Sequence, residues 1–146
     1  MKQLGEATTV QTIRELRKRH GWTQQQLADV LNRFGAQADR AMVAKVELGK
    51  RGLSLNEAFL FALALDVAPV HLFVPTDSEE PLSLGPPEGR GPRVECSPAE
   101  ARAWIRGLRP FIPQDPRTYF SEVPTEELPE ELRSPSWPEQ SQKEES

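Results

Sequence analysis

Residues 38–52 read ADRAMVAKVELGKRG, and the way they divide around a helix decides how the rest of the chain is read. Spaced about 100° apart, Arg40, Ala44, Leu48, Ala41 and Lys45 share one arc, and Met42, Val46, Asp39 and Val43 the opposite one. The second arc is apolar, as a core-facing surface should be, except for Asp39, which stands where a cap would. The first is small in its middle and cationic at its edges. Small side chains let a helix approach another surface closely, and the cations make an anionic surface the expected one.

The flanking segments supply the core for this helix. Residues 22–35, WTQQQLADVLNRFG, offer Thr23 as N-cap with Gln26 completing a capping box and Trp22 placed to staple against Leu27. Leu27, Ala28, Val30, Leu31 and Phe34 then predict a helix ending near Gly35. Ahead of it, Val10, Ile13 and Leu16 make an apolar stripe in TTVQTIRELRKRHG that Gly21 can terminate. After it, LSLNEAFLFALALDV repeats the capping box with Ser54 and Glu57 before the apolar Leu55, Ala58, Phe59, Ala62, Leu63 and Leu65. Pro69, suited to a first helical position, opens a short fifth helix closed by Pro75. Five helices fit within residues 1–75.

The chain has 146 residues, a formal charge of −4 and a pI near 5.3, which by itself argues against a nucleic-acid binder. The average hides an asymmetry. Up to Pro75 there are 10 Lys+Arg against 7 Asp+Glu, and beyond it 8 against 15. Proline divides likewise, with Pro69 and Pro75 alone in the first half and the other 12 of the 14 beyond it. The second half is therefore a poor candidate for a compact core.

A single cysteine, Cys96, excludes an intramolecular disulfide, and with only His20 and His71 beside it no Cys-rich zinc site is expected. No apolar run reaches the length of a membrane span and MKQLGEATTV lacks the apolar centre of a signal peptide, so a cytoplasmic location is expected. No nucleophile–base pair, phosphate-cradling glycine loop or metal-ligand spacing occurs. Glu126, Glu127, Glu130 and Glu131 have nothing apolar around them to shift their pKa. The expectation is a protein without catalytic residues, metal or cofactor.

Residues 76–96, TDSEEPLSLGPPEGRGPRVE with the Cys96 that follows, are rich in Pro, Gly and Glu without sustained periodicity and read as a linker with room for a brief extended piece. One helix signal follows, in SPAEARAWIRGLRP. Ser97 is its N-cap, Pro98 its first residue, Glu100 the box partner, and Ala101, Trp104, Ile105 and Leu108 its apolar stripe. That stripe needs a partner surface, either a second copy or the first domain. Residues 97–124 thus form a helical and irregular segment with local structure expected around Tyr119 and Phe120, and residues 125–146 an acidic, mobile tail. The fold class expected is all-α.

A helix, then GWTQQQLA, then a second helix ending in Glu before GKR, resembles the helix-turn-helix of lambda-repressor-like, XRE/Cro-type regulators. The resemblance covers roughly residues 10–75 and includes the A-L-x-V-x-P-x-x-L passage into the fifth helix. It implies that helix three lies in the major groove of double-stranded DNA, with Arg40, Ala41, Ala44 and Lys45 facing base edges. Thr23 and Gln24 at the start of helix two, and Lys50 and Arg51 after helix three, would hold phosphates. It also pairs Glu47 with Arg17 in an ion pair locking helix three against helix one. The connection RFGAQAD is longer than the tight turn of the phage repressors.

The function this implies is a sequence-specific transcriptional regulator, a repressor acting as a homodimer on a two-fold operator. The alternative is an antitoxin-like adaptor whose acidic C-terminal half binds a protein partner.

Overall fold

The computed structural model describes residues 1–85, 93–110 and 120–128, with Glu130 and Arg133. Six α-helices and three short strands follow in the order β1 (Lys2–Gln3), α1 (Glu6–Arg19), α2 (Gln24–Arg33), α3 (Arg40–Glu47), α4 (Leu55–Leu65), α5 (Pro69–Phe73), β2 (Leu82–Leu84), β3 (Val94–Cys96) and α6 (Pro98–Ile105). In the C-terminal part a 3₁₀ turn spans Thr125–Glu127.

Local capping explains where most helices start. Thr23 Oγ1 accepts from Gln26 N while Gln26 Oε1 accepts from Thr23 N, and the same reciprocal pair joins Ser54 to Glu57 and Ser97 to Glu100. Asp39 caps α3 by accepting from Met42 N at 2.7 Å. Pro69 and Pro98 occupy first-turn positions, where a missing N–H costs nothing. α1 begins two residues ahead of the TTVQ segment, just after Gly5. The φ of +150° at Gly5, which L side chains rarely adopt, turns the chain out of β1. The first two turns of α1 are unusual in burying Thr8, Thr9 and Thr12, whose hydroxyls donate to the carbonyls of Gln3, Gly5 and Thr8 respectively. These bonds offset the cost of burying the hydroxyls.

The main core joins α1 to α5. Ile13, Leu27, Ala28, Val43, Val46, Phe61 and Leu72 are wholly enclosed, with Leu31 and Leu65 nearly so. Residues 34–39 connect α2 to α3 and are held by Asn32, whose Nδ2 donates to Ala38 O at 2.9 Å while its Oδ1 accepts from Ala38 N at 2.7 Å. Ala36 and Ala38 tuck against the core beneath. The long connection is thus a braced loop.

The all-α expectation needs correction. β1 pairs parallel to β2 with Lys2 opposite Leu82, and β2 pairs antiparallel to β3 with Leu82 opposite Cys96, making a three-stranded sheet in the order β1-β2-β3. Two of these strands lie within residues 76–96, the stretch expected to be a linker. Runs of two and three residues are too short to carry a period-two pattern, and β1, one of the two partners of β2, lies at the start of the chain, so the sheet could not be read locally.

The sheet covers a second, smaller core of Leu4, Val74, Leu82, Cys96 and Ala101, with Phe73, Leu84, Trp104 and Ile105 packed on it. Phe73 also packs on the main core, so the two are continuous through α5. Trp104 and Ile105 of the α6 stripe therefore dock on the body of the protein, and Leu108 remains exposed. Further ties come from Arg102, which donates to Pro75 O at 3.1 Å, and Arg106, whose Nη2 lies 3.2 Å from His71 Nε2. A guanidinium only donates, so Nε2 is the acceptor in this contact. Cys96 is a buried free thiol, and burial, followed by the nearby Glu100 carboxylate, pushes its pKa up. That makes it a poor nucleophile. Phe120 is buried. Tyr119 and most of the acidic tail, residues 129, 131–132 and 134–146, lie outside the described residues.

If 76–96 were a solvated spacer, shortening an apolar side chain there would change little. With Leu82 only 1% exposed, Leu82→Ala is expected to cost about 2–5 kcal/mol in urea unfolding. A loss below about 0.5 kcal/mol, the level of a surface substitution, would contradict the second core.

Candidate nucleic-acid interface

Glu47, the last residue of α3, is turned inward with its side chain only 2% exposed. Arg17 of α1 grips it in two places, with Nε 2.5 Å from Oε1 and Nη2 3.1 Å from Oε2, while the remaining Arg17 nitrogen donates to Trp22 O at 2.7 Å. Gln24 Nε2 adds a third donor to Glu47, 3.0 Å from Oε2. A two-pronged guanidinium–carboxylate contact fixes direction as well as distance. One carboxylate thereby ties α3 to α1, to the turn before α2, and to the first residue of α2.

With Glu47 pinned inward, the rotation of α3 follows. Val43 and Val46 are sealed in the core, Met42 is half-buried, and Arg40, Ala41, Lys45 and Leu48 are exposed, with Ala44 half-buried between them. Among the described residues no salt bridge engages Arg40, Lys45 or Lys50. The outward arc is therefore cationic, uncompensated and low in relief at its centre. After α3, Gly49 takes φ +68°, and its N–H and that of Lys50 close back onto Val46 O and Lys45 O. Lys50 is left exposed beside the arc.

Two expected phosphate ligands sit differently. The Gln24 side chain is drawn into the Glu47 network, so at the start of α2 the outward groups are the Thr23 hydroxyl, itself occupied as a cap, and the backbone amides of Gln24 and Gln25, which have no partner among the described residues. Arg51 Nη1 donates to Glu57 Oε2 at 2.6 Å and to Gly52 O at 3.3 Å, leaving it half-buried against the start of α4. Sequence reasoning also missed the Asn32 brace that sets where α3 begins. An Asn three residues before a loop glycine was the available signal, and its partner, Ala38, was not readable.

His20 stacks on Trp22 with ring centroids 4.2 Å apart, and His20 Nε2 lies 2.8 Å from Leu65 O, so this histidine is engaged structurally. Among the described residues no group of three His, Cys, Asp or Glu is placed to hold a metal, and no helix is long and apolar enough to cross a membrane.

Two stability outcomes follow. Glu47→Leu strands the Arg17 guanidinium and is expected to cost about 3–5 kcal/mol, whereas Arg17→Met combined with Glu47→Leu should cost clearly less than the single change. Equal losses from urea unfolding would show that the two residues do not act as a pair. Glu57 gives a pH-dependent counterpart. Burial pushes its carboxyl up, but hydrogen bonds from the Ser54 backbone and from Arg51 together outweigh that and hold its pKa below the ordinary value. A depressed folded-state pKa contributes stability that is present above the unfolded carboxylate range and lost as pH falls through the folded value. The gap in melting temperature between the wild type and Glu57→Gln, equivalent to about 0.2–1 kcal/mol for a partly exposed pair, should therefore close on acidification. A gap unchanged from neutral pH to acid would remove the Arg51 pairing from the account.

The geometry can be set beside known proteins. The sequence pattern of the helix-turn-helix family matches residues 13–72, from the middle of α1 to α5. No curated protein and no solved structure matches the chain. The likeness is thus to the helix-turn-helix of XRE/lambda-repressor-like type, and it is a likeness of residues 13–72.

Proposed function

We propose that the protein is a sequence-specific repressor that binds a two-fold operator as a homodimer, with α3 in the major groove. The observation that carries this reading is the outward arc of α3. Its cations enter no salt bridge among the described residues, its centre is low, and its rotation is held by Glu47. Arg40 and Lys45 suit guanine O6 and N7, and the methyls of Ala41 and Ala44 suit thymine methyls. Lys50 and the exposed amides at the start of α2 take flanking phosphates, the latter aided by the helix dipole. Thr23, Gln24 and Arg51 act from behind, as cap, brace and anchor, with Arg51 free to exchange Glu57 for a phosphate. Half-sites about one helical turn apart, ~34–36 Å, let both copies of α3 enter successive major grooves.

Binding of the full chain to DNA from upstream of its own coding sequence, across a salt series and against random DNA, tests this. Selective binding should weaken linearly on a log–log salt plot. Arg40→Ala with Lys45→Ala should lower affinity for the selected site by about 5–150-fold per lost base contact, from ~1–3 kcal/mol each, and flatten the salt slope. Weak binding indifferent to sequence and to both substitutions would overturn the reading and favour an adaptor whose acidic half binds a protein.

A further inference from the structure

The helical wheel puts Asp39 on the inward arc of α3, yet the residue is exposed. Its place in the chain is the reason. As N-cap it keeps an extended backbone, φ −132° and ψ 175°, so the helical repeat does not set its direction. It is also held on both sides. Asn32 clasps the N–H and the carbonyl of Ala38, the residue before it, and the Asp39 carbonyl and Oδ1 accept from Val43 N at 3.2 Å and Met42 N at 2.7 Å. That leaves Oδ2 without a hydrogen bond or salt bridge among the described residues, beside Arg40, which is also exposed and in no salt bridge. Capping accounts for one oxygen only, and a serine would cap as well without adding negative charge. A fixed carboxylate with a free oxygen, beside an arc whose charges are otherwise cations, calls for a use.

We propose that Asp39 is a base-reading residue, its Oδ2 accepting a hydrogen bond from the N4 amino group of a cytosine beside the guanine taken by Arg40. The inference rests on the reading proposed above, that α3 enters the major groove, and adds a residue which that reading leaves out. A helix in the groove meets base edges with its N-terminal residues, so the N-cap of α3 lies at the level of the bases and not out at the phosphates. An ionised carboxylate can only accept. Phosphate oxygens, guanine O6 and N7, and thymine O4 are all acceptors, and each repels it. The major groove offers it two donors, cytosine N4 and adenine N6. Adenine sets its N7 acceptor next to N6, whereas cytosine has no acceptor of its own on that edge, so cytosine is the better partner. The guanine opposite such a cytosine presents O6 and N7 to a guanidinium, and Arg40 follows Asp39 directly. The carboxylate therefore also fixes orientation, because exchanging the two bases of the pair would set guanine acceptors against it.

Selection of binding sites by the full-length protein from a pool of random duplexes, repeated with Asp39→Asn and Asp39→Ser, tests it. Both replacements cap helices about as well as Asp, and thermal melts followed by circular dichroism check that the fold is kept. Asn offers an N–H donor where Oδ2 stood, and Ser leaves that place empty. The wild type should prefer cytosine on the order of tenfold at one position of the half-site, the scale of a hydrogen bond to a charged group. Both variants should lose that preference and keep those at the remaining positions. Identical preferences in all three proteins would overturn the inference. So would variants that bind every sequence more tightly with preferences unchanged, since the carboxylate would then only repel phosphates. A wild type that selects a site through Arg40 and Lys45, with no cytosine position sensitive to residue 39, overturns this inference alone. A wild type that selects no site overturns the operator reading with it.

Discussion

A buried carboxylate must have its lone pairs answered, and in this protein Glu47 is answered by two nitrogens of Arg17 and the amide of Gln24. Ion pairs removed from water often contribute little net stability, because desolvation offsets the attraction. Their geometric effect is larger. α3 is only eight residues long, and its apolar grip on the core is essentially Val43 and Val46 with some help from Met42. So short a helix could roll. Fixing Glu47 from two neighbouring helices removes that freedom and holds Arg40 and Lys45 outward. The same contacts position the start of α2, so α3 and the helix that precedes it are set as one unit.

The electrostatic character of the surface is local. The chain as a whole is acidic, yet its cations are not all placed alike. Arg17, Arg19 and Arg51 are paired with Glu47, Asp77 and Glu57. Arg40, Lys45 and Lys50 belong to no salt bridge among the described residues and cluster on and just after α3. With a screening length of about 8 Å at physiological salt, acidic residues elsewhere in the chain do little to cancel such a cluster. Net charge therefore misleads about this protein, and the placement of unpaired cations is the informative quantity.

The second core changes what the C-terminal half does. Strand β1 crosses to β2, Leu4 and Val74 share a cluster with Leu82, Cys96 and Ala101, and Phe73 packs on both cores. α5 is five residues long, too short to be stable by itself, and it persists because both sides of it are packed. This docking also absorbs the Trp104 and Ile105 stripe, one candidate for association, while Leu55, Phe59 and Leu63 of α4 stay exposed among the described residues.

Local chemistry was enough to locate the helices. Three reciprocal capping boxes, the Asp39 cap and two first-turn prolines act within four residues, so they can be read wherever they occur. The inward direction of Val43 and Val46 was likewise legible, because helical spacing makes one face of a segment depend on the other, whereas the pairing of Glu47 with Arg17 came only from the family resemblance. Contacts between residues far apart in sequence could not be read this way. The pairing of Lys2 with Leu82, the capture of the Gln24 side chain by Glu47, the clasp of Asn32 on Ala38 and the docking of Trp104 on the second core each depend on which surface the completed fold brings near. The sequence by itself determined the helices and the outward arc of α3. Only the tertiary structure decided the sheet and which polar side chains remain free, because a hydrogen bond or a burial needs two partners and the chain names only one at a time.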